Sequence, residues 1–103
     1  MEDFVKVAQS GELIPGATKL VEVDDEQIVL ANLDGTVVAF TNVCTHAGCD
    51  LAEGQLEGEE LECECHGSRF SVRTGAVLNG PAIEPLTLYS VRIEGDDLLV
   101  GPA

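Results

Sequence analysis

The sequence predicts an all-β protein whose antiparallel strands form a sandwich or a barrel. Short apolar runs, separated by turn residues, recur along the 103 residues, which is the pattern of short strands joined by tight turns. Val, Ile and Leu dominate these runs, and there are three Phe, one Tyr and no Trp; such residues favour strands. No long stretch has the 3.6-residue period of a helix. The length predicts a single domain, residues 1–103, with one modest core.

The predicted strands and turns follow from these runs in chain order. The strands are Phe4–Ala8, Lys19–Val23, Gln27–Asn32, Thr36–Val43, Arg69–Val72, Tyr89–Ile93 and Leu98–Gly101. The hairpin turns are Asp34-Gly35, which is a strong signal, Thr74-Gly75 and Glu94-Gly95-Asp96. Residues 11–16 contain two Gly and one Pro and predict a loop. Residues 47–62 are rich in Gly and acids, so we expect an excursion from the main β-domain there.

The charge of the chain restricts its partners. The net charge is −14, from 19 acidic and five basic residues. Such a chain repels nucleic acid and anionic membrane surfaces and attracts a basic protein, although high charge also serves solubility or thermostability. No apolar stretch approaches the roughly twenty residues of a membrane span, and the start, Met1–Phe4, lacks the features of an export signal. We therefore expect a soluble, monomeric, cytoplasmic protein without a membrane span.

Two short segments contain every Cys and every His of the sequence. Cys44 and His46 lie in the first, and Cys63 and His66 in the second. The pattern is Cys-x-His, then sixteen residues, then Cys-x-x-His. Two thiolates and two imidazoles on two loops between strands indicate a metal site.

Zinc and a four-cysteine [2Fe-2S] cluster are the alternatives for this site. Zinc is often held by two Cys and two His, but Cys44 and His46 are one residue apart, a spacing that suits two adjacent metal atoms better than one ion. In a plant-type cluster, Cys44 and Cys49 match the first spacing, but the next Cys is delayed until Cys63. That cluster would also leave both histidines unexplained.

The four residues Cys44, His46, Cys63 and His66 resemble the signature of the Rieske family. The resemblance implies one [2Fe-2S] cluster, with the two Cys on the inner iron and the two His on the outer iron near the surface. It implies the antiparallel Rieske-type fold, with a small cluster-binding subdomain at about residues 43–70.

The resemblance also implies roles for residues around the cluster. Gly67 matches the glycine where close backbone approach directs N–H groups to the cluster sulfurs. Pro81, in the segment 79–82, matches the proline loop that covers the cluster; an ordinary turn is the alternative. Ser68 retains a hydroxyl that high-potential relatives direct at sulfur, whereas Phe70 replaces their Tyr, so the reduction potential should lie between those of the low and high groups.

Cys49 and Cys65 are the remaining cysteines. Their positions match the disulfide of cytochrome-complex Rieske proteins, which ties the two cluster loops together and which most Rieske ferredoxins lack. The resemblance therefore implies a disulfide; two thiols are the alternative. A cytosolic disulfide is unusual.

The resemblance implies a Rieske ferredoxin that carries one electron from a reductase to a terminal oxygenase or other oxidoreductase. It would have no catalytic residue and would bind no substrate, and electrons would pass through His46 and His66. One alternative is the Rieske small subunit of a larger complex, of the arsenite-oxidase or nitrite-reductase type. Others are a cluster-bearing redox sensor and a colourless zinc-stabilised interaction module.

Overall fold

The computed structural model describes residues 3–45, 48–65, 67–80 and 82–102. The all-β prediction is confirmed: the described residues form ten strands and two single-turn 3-10 helices. The strands are β1 Val5–Gln9, β2 Thr18–Val23, β3 Glu26–Leu33, β4 Thr36–Thr41, β5 Gln55–Glu57, β6 Glu60–Glu62, β7 Arg69–Ser71, β8 Val77–Asn79, β9 Leu88–Glu94 and β10 Asp97–Gly101. The 3-10 helices are Ser10–Glu12 and Leu51–Glu53.

The larger sheet has six antiparallel strands in the order β1-β10-β9-β4-β3-β2. Its edge strands β1 and β2 also approach each other, so the sheet is nearly closed into a barrel, an arrangement that leaves little edge open to other chains. Asp34 and Gly35 form the predicted turn between β3 and β4, with φ of 57° and 107°. Asp24 and Asp25 make a similar turn between β2 and β3, with φ of 50° and 67°, which was not predicted.

The smaller sheet has four antiparallel strands in the order β5-β6-β7-β8. Only β7 was predicted. Strands β5, β6 and β8 were missed; each has three residues, as β7 has, so length alone does not separate them from β7. Residues 48–62, the described part of the expected excursion, thus supply two strands of this sheet, β5 and β6. The cluster-binding subdomain at about residues 43–70 stays a prediction.

Strand β3 joins the two cores of the molecule because both of its faces are buried. Ile28 and Leu30 face the barrel interior with Leu98 and Val100. Val29 and Ala31 face the second core, which contains Leu51, Leu61, Phe70, Cys44 and Cys63. The second core therefore contains side chains from both sheets. The single domain stays a prediction. Among the described residues, no helix is long and apolar enough to cross a membrane.

Candidate metal centre

Two loops of equal length carry the predicted cluster ligands. Loop 1 (residues 44–49) lies between Val43 and Asp50, which form an isolated antiparallel bridge. Loop 2 (residues 63–68) lies between Glu62 and Arg69, which pair at the ends of β6 and β7. Each loop is therefore closed by an antiparallel pair, so its first and last residues are held close together.

The same two backbone hydrogen bonds organise each loop. In loop 1 the Cys44 N–H donates to the Cys49 carbonyl at 2.8 Å, and the Gly48 N–H donates to the Cys44 carbonyl at 2.9 Å. In loop 2 the Cys63 N–H donates to the Ser68 carbonyl at 2.8 Å, and the Gly67 N–H donates to the Cys63 carbonyl at 3.0 Å. We call these two hydrogen bonds the backbone frame of a loop. Cys44 and Cys63 therefore occupy equivalent positions in two matching frames.

The two predicted cysteine ligands are both buried. Cys44 is 2% exposed and Cys63 is 0% exposed, and both belong to the core shared by the sheets. The other two predicted ligands, His46 and His66, lie outside the described residues. The assignment of all four as ligands stays a prediction.

The disulfide between Cys49 and Cys65 is confirmed, with an S–S distance of 2.04 Å and a Cα–Cα distance of 6.5 Å. It joins the end of loop 1 to the middle of loop 2. Cys65 is exposed and Cys49 is partly buried. The disulfide therefore fixes the separation of the two loops from the outer side of the site.

A group of three sulfurs lies around Cys63. The Sγ atoms of Cys49, Cys63 and Cys65 lie within 4.8 Å of one another. Two of them form the disulfide and offer no thiolate, so this group is not itself a metal site. Cys44 and Cys63 are outside the disulfide, and thiolates are the ligands that iron-sulfur clusters use. Two buried cysteines on adjoining loops, held by a disulfide between those loops, fit a cluster ligated from both loops.

The proline segment (residues 79–84) is hydrogen-bonded to both loops. The Ala82 N–H donates to Ser68 Oγ in loop 2 at 3.1 Å, and Thr45 Oγ1 in loop 1 donates to the Glu84 carbonyl at 2.7 Å. Ala82 is 3% exposed. Pro81 lies outside the described residues, so its covering role stays a prediction. Its neighbours nevertheless lie across the same end of the molecule as the loops.

Ser68 and Phe70 are both fully buried. Because Ser68 Oγ accepts its hydrogen bond from Ala82, the hydroxyl proton is available to a further acceptor. Gly67 has a φ of 76°, a conformation that favours glycine. A Cβ there would meet nothing within 4 Å, and its N–H is used by Cys63. The predicted roles of these three residues toward a cluster stay predictions.

The sequence analysis missed Asn42, which anchors the base of loop 1. Its side chain is 0% exposed; Nδ2 donates to Gln27 Oε1 at 3.0 Å, and Oδ1 accepts from the Ala52 N–H at 2.8 Å. The Leu51 N–H donates to the Asn42 carbonyl at 2.7 Å. An Asn two residues before Cys44, near the end of a largely apolar predicted strand, was the available signal.

All five basic residues of the chain form ion pairs away from the loop tips. Arg69 lies 3.4–3.6 Å from Glu57, Glu60 and Glu62 on the outer face of the small sheet. Arg73 lies 2.9 Å from Glu59; their hydrogen bond lowers the pKa of the Glu59 carboxyl and raises the pKa of Arg73. The others are Lys6 with Asp97, Lys19 with Glu12, and Arg92 with Glu94.

An acidic cleft of about 380 Å³ borders loop 1 through Val43, and its lining includes Glu22, Asp25 and Glu26. Tyr89 also lines it, and burial raises the pKa of the Tyr89 phenol, with a smaller contribution from the Glu26 carboxylate. The side of the molecule that adjoins loop 1 is therefore strongly negative.

Comparisons with known proteins agree with this geometry. Residues 3–90 match the family model of the Rieske [2Fe-2S] domain. The chain is 41% identical over 98 residues to the biphenyl dioxygenase ferredoxin subunit of Pseudomonas sp. (strain KKS102), covering 94% of this chain and 90% of that one.

Solved structures show the same likeness. The ferredoxin of carbazole 1,9a-dioxygenase from Nocardioides aromaticivorans IC177 superposes with a TM-score of 0.91 at 35% identity, covering 97% of this chain and 98% of that one. A structure described as a complex of reduced oxygenase and oxidized ferredoxin in carbazole 1,9a-dioxygenase gives a TM-score of 0.90 at 28% identity, covering 95% and 92%. With two buried cysteines in matched loops and this likeness over most of its length, the chain belongs to the Rieske [2Fe-2S] domain family.

Proposed function

We propose that this protein is a one-electron carrier that accepts an electron from a reductase and passes it to a terminal oxygenase. The observation that carries the proposal is the pair of matched loops, which hold Cys44 and Cys63 buried at one end of a rigid β-scaffold. Supporting it, the similar proteins named above are ferredoxin components of dioxygenase systems. One of them is described in complex with its oxygenase.

Four residues would hold the cofactor: Cys44 and Cys63 on one iron, and His46 and His66 on the other. A [2Fe-2S] cluster bound there supplies reversible one-electron chemistry. The residues of this chain position the ligands and exclude water. Leu51, Phe70 and Ala82 belong to the buried core that also contains both cysteines, so the inner side of the site is apolar.

The chain acts as a carrier and not as a catalyst in this proposal. One cavity, of about 430 Å³, is lined by residues of the β3–β4 and β5–β6 turns such as Asp34 and Gly58. None of its lining residues belongs to either loop or to the proline segment. An electron carrier needs no substrate pocket beside its cluster, only a surface on which its partners can dock.

The proposed test measures electron delivery directly. The purified protein, reduced anaerobically to one electron per chain, is mixed with the oxygenase components of biphenyl, naphthalene and carbazole dioxygenases. We expect reoxidation of the protein and product formation by at least one oxygenase that requires it. Iron near two atoms per chain and imidazole nitrogen coupling in pulsed EPR should accompany this activity. Stoichiometric zinc, or no electron delivery to any of the three oxygenases, would refute the proposal.

The cytoplasm is the proposed compartment, and a monomer is the proposed state. The carrier must share a compartment with its reductase and oxygenase, and small carriers that exchange partners work best unassembled. The Cys49–Cys65 disulfide is unusual for a reducing compartment, so cell fractionation with thiol trapping is the direct test. Recovery of the protein from an exported fraction would contradict this assignment.

A further inference from the structure

Ile83 is the most exposed large apolar side chain among the described residues, with 89% of its surface accessible. An isolated exposed apolar residue needs no explanation, but the position of Ile83 is unusual. Its neighbour Ala82 is hydrogen-bonded to Ser68 of loop 2, and its neighbour Glu84 to Thr45 of loop 1. Ile83 is therefore held from both sides, between the two loops that carry the predicted ligands.

Because both of its neighbours are hydrogen-bonded, Ile83 loses less conformational entropy when a partner binds to it. A side chain on a segment fixed at both neighbouring residues is already ordered in position. At protein interfaces, a few residues that fill well-packed pockets of the partner contribute most of the binding free energy. An Ile side chain that is 89% exposed on such a segment is suited to that role.

The charges around Ile83 specify the partner. Three exposed carboxylates lie on the same loops and segment: Asp50 directly after loop 1, Glu64 in loop 2, and Glu84 beside Ile83. All five Lys and Arg residues are described and pair with other acids. These three carboxylates therefore have no Lys or Arg ion-pair partner in the part of the chain that the structure describes. A complementary surface has Lys or Arg side chains around an apolar recess.

We infer that Ile83, with Asp50, Glu64 and Glu84 around it, forms the docking surface for the oxygenase, which offers an apolar recess bordered by basic side chains. The inference rests on the proposed function and adds which residues make the contact. Electron transfer across this surface makes and breaks no bond: one electron leaves the reduced carrier and enters the oxygenase. Ile83 supplies affinity, and the carboxylates supply attraction at a distance, which screening by salt weakens.

The test compares Ile83→Asp with Ile14→Asp. Ile14 is also exposed, at 67%, but it lies in the loop before β2 beside Pro15, which lines the cavity at the turns. Stopped-flow measurement gives the second-order rate constant for reduction of the oxygenase that accepts electrons most rapidly from the unchanged protein. Oxidation by ferricyanide serves as the control that needs no docking. We expect Ile83→Asp to lower the oxygenase rate constant by about tenfold or more. The loss should be much larger than the slowing with ferricyanide, an anion that the added carboxylate repels. Ile14→Asp should change neither.

A second variant, Glu64→Gln with Glu84→Gln, tests the contribution of the carboxylates to the association rate. We expect a smaller dependence of the oxygenase rate on ionic strength, because rim charges act mainly on the association rate. An Ile83→Asp protein that reduces the oxygenase as fast as Ile14→Asp overturns the inference, and so does an unchanged salt dependence. In both cases the proposed function survives. Failure of the unchanged protein to reduce any of the three oxygenases overturns both.

Discussion

Loop 1 and loop 2 share one backbone frame but differ in how their side chains secure it. The residue that accepts the Cys44 N–H is Cys49, whose side chain crosses to loop 2 as a disulfide. The equivalent residue in loop 2 is Ser68. Its side chain is buried and accepts a hydrogen bond from the Ala82 N–H of the proline segment. Loop 1 reaches the same segment through Thr45.

The ligand motif is spaced unequally although the two frames match. Both loops have six residues and place their first Cys in the same hydrogen-bonded position. The predicted His ligand is the third residue of loop 1 and the fourth residue of loop 2, where Cys65 occupies the third position. The backbone frame therefore fixes the positions of the two buried thiols. Individual side chains connect the frames to each other and to the proline segment.

The largest expected effect tests whether the two frames are equivalent. Replacing Cys44 or Cys63 by Ser removes a buried thiolate from the same position of each frame, so both variants should lose the cluster completely. Iron content and visible absorption measure this loss. Cys65→Ser is the control, because Cys65 belongs to the disulfide; it should retain iron after purification. A Cys44→Ser protein with full iron content would show that the frames are not equivalent.

The second prediction concerns the side chains that join the frames. Replacing Cys49 and Cys65 together by Ser removes a bond between residues 16 apart. The chain-entropy model assigns such a bond about 3 kcal/mol. We expect the half-life of the cluster absorption during heating to shorten strongly, while the far-ultraviolet spectrum of the strands changes little. The unchanged protein treated with a dithiol reductant should reproduce the variant. Equal half-lives with and without the bond would mean that the proline segment alone holds the loops.

The third prediction separates the two connections to the proline segment. Ser68→Ala leaves the buried Ala82 N–H without its acceptor, which costs about 1–3 kcal/mol; Thr45→Val removes a half-exposed hydrogen bond and should cost less. Denaturant unfolding of the cluster-loaded proteins measures both costs. If the Ser68 hydroxyl also donates to a cluster sulfur, only Ser68→Ala should lower the reduction potential. A shift of the potential in Thr45→Val but not in Ser68→Ala would reverse the assigned roles.

Phe70→Tyr tests whether the side chain at position 70, like that of Ser68, faces the cluster. Phe70 is 0% exposed, so an added hydroxyl must find a partner inside the site or remain unsatisfied. With the predicted orientation it donates to sulfur, stabilises the more negative reduced cluster and raises the midpoint potential. Voltammetry measures the shift. Phe4→Tyr is the matched control, because Phe4 packs against Gly101 and Arg92 on the barrel. A destabilised protein with an unchanged potential would place Phe70 away from the cluster.

The smallest expected effect is on the free energy of unfolding when a glycine of either backbone frame is replaced. Gly48 and Gly67 have φ of 72° and 76°, and a Cβ at either would meet nothing within 4 Å. Replacing either by Ala should therefore cost only the conformational penalty, about 1 kcal/mol, and the same amount in both loops. Gly11→Ala is the control because Gly11 has equal space without positive φ. Unequal costs at Gly48 and Gly67, measured by denaturant unfolding, would show that the two frames differ.

Six of the seven strands that were predicted have five to eight residues, long enough to show an apolar pattern; β7, with three residues, is the exception. All seven predicted strands overlap an observed one, with ends that differ by a residue or two, as for β4, which ends at Thr41 instead of Val43. The strands that were missed contain three residues each. A strand such as Glu60–Glu62 has one buried residue, Leu61, and it forms because it pairs with both neighbours, which a local pattern does not encode.

The sequence alone determined the fold class and the family resemblance, and that resemblance implied the cysteine pair that forms the disulfide. These depend on residue identity and spacing, since alternating apolar runs specify strands and thiols and imidazoles in a fixed pattern specify a kind of site. Only the tertiary structure decided the rest: the matched frames of the two loops, the burial of Asn42 beneath loop 1, and the exposure of Ile83 between two anchored neighbours. These features arise from hydrogen bonds between residues far apart in the chain, such as Thr45 with Glu84 and Ser68 with Ala82. Neither partner in such a bond indicates in its own sequence neighbourhood where the other will lie.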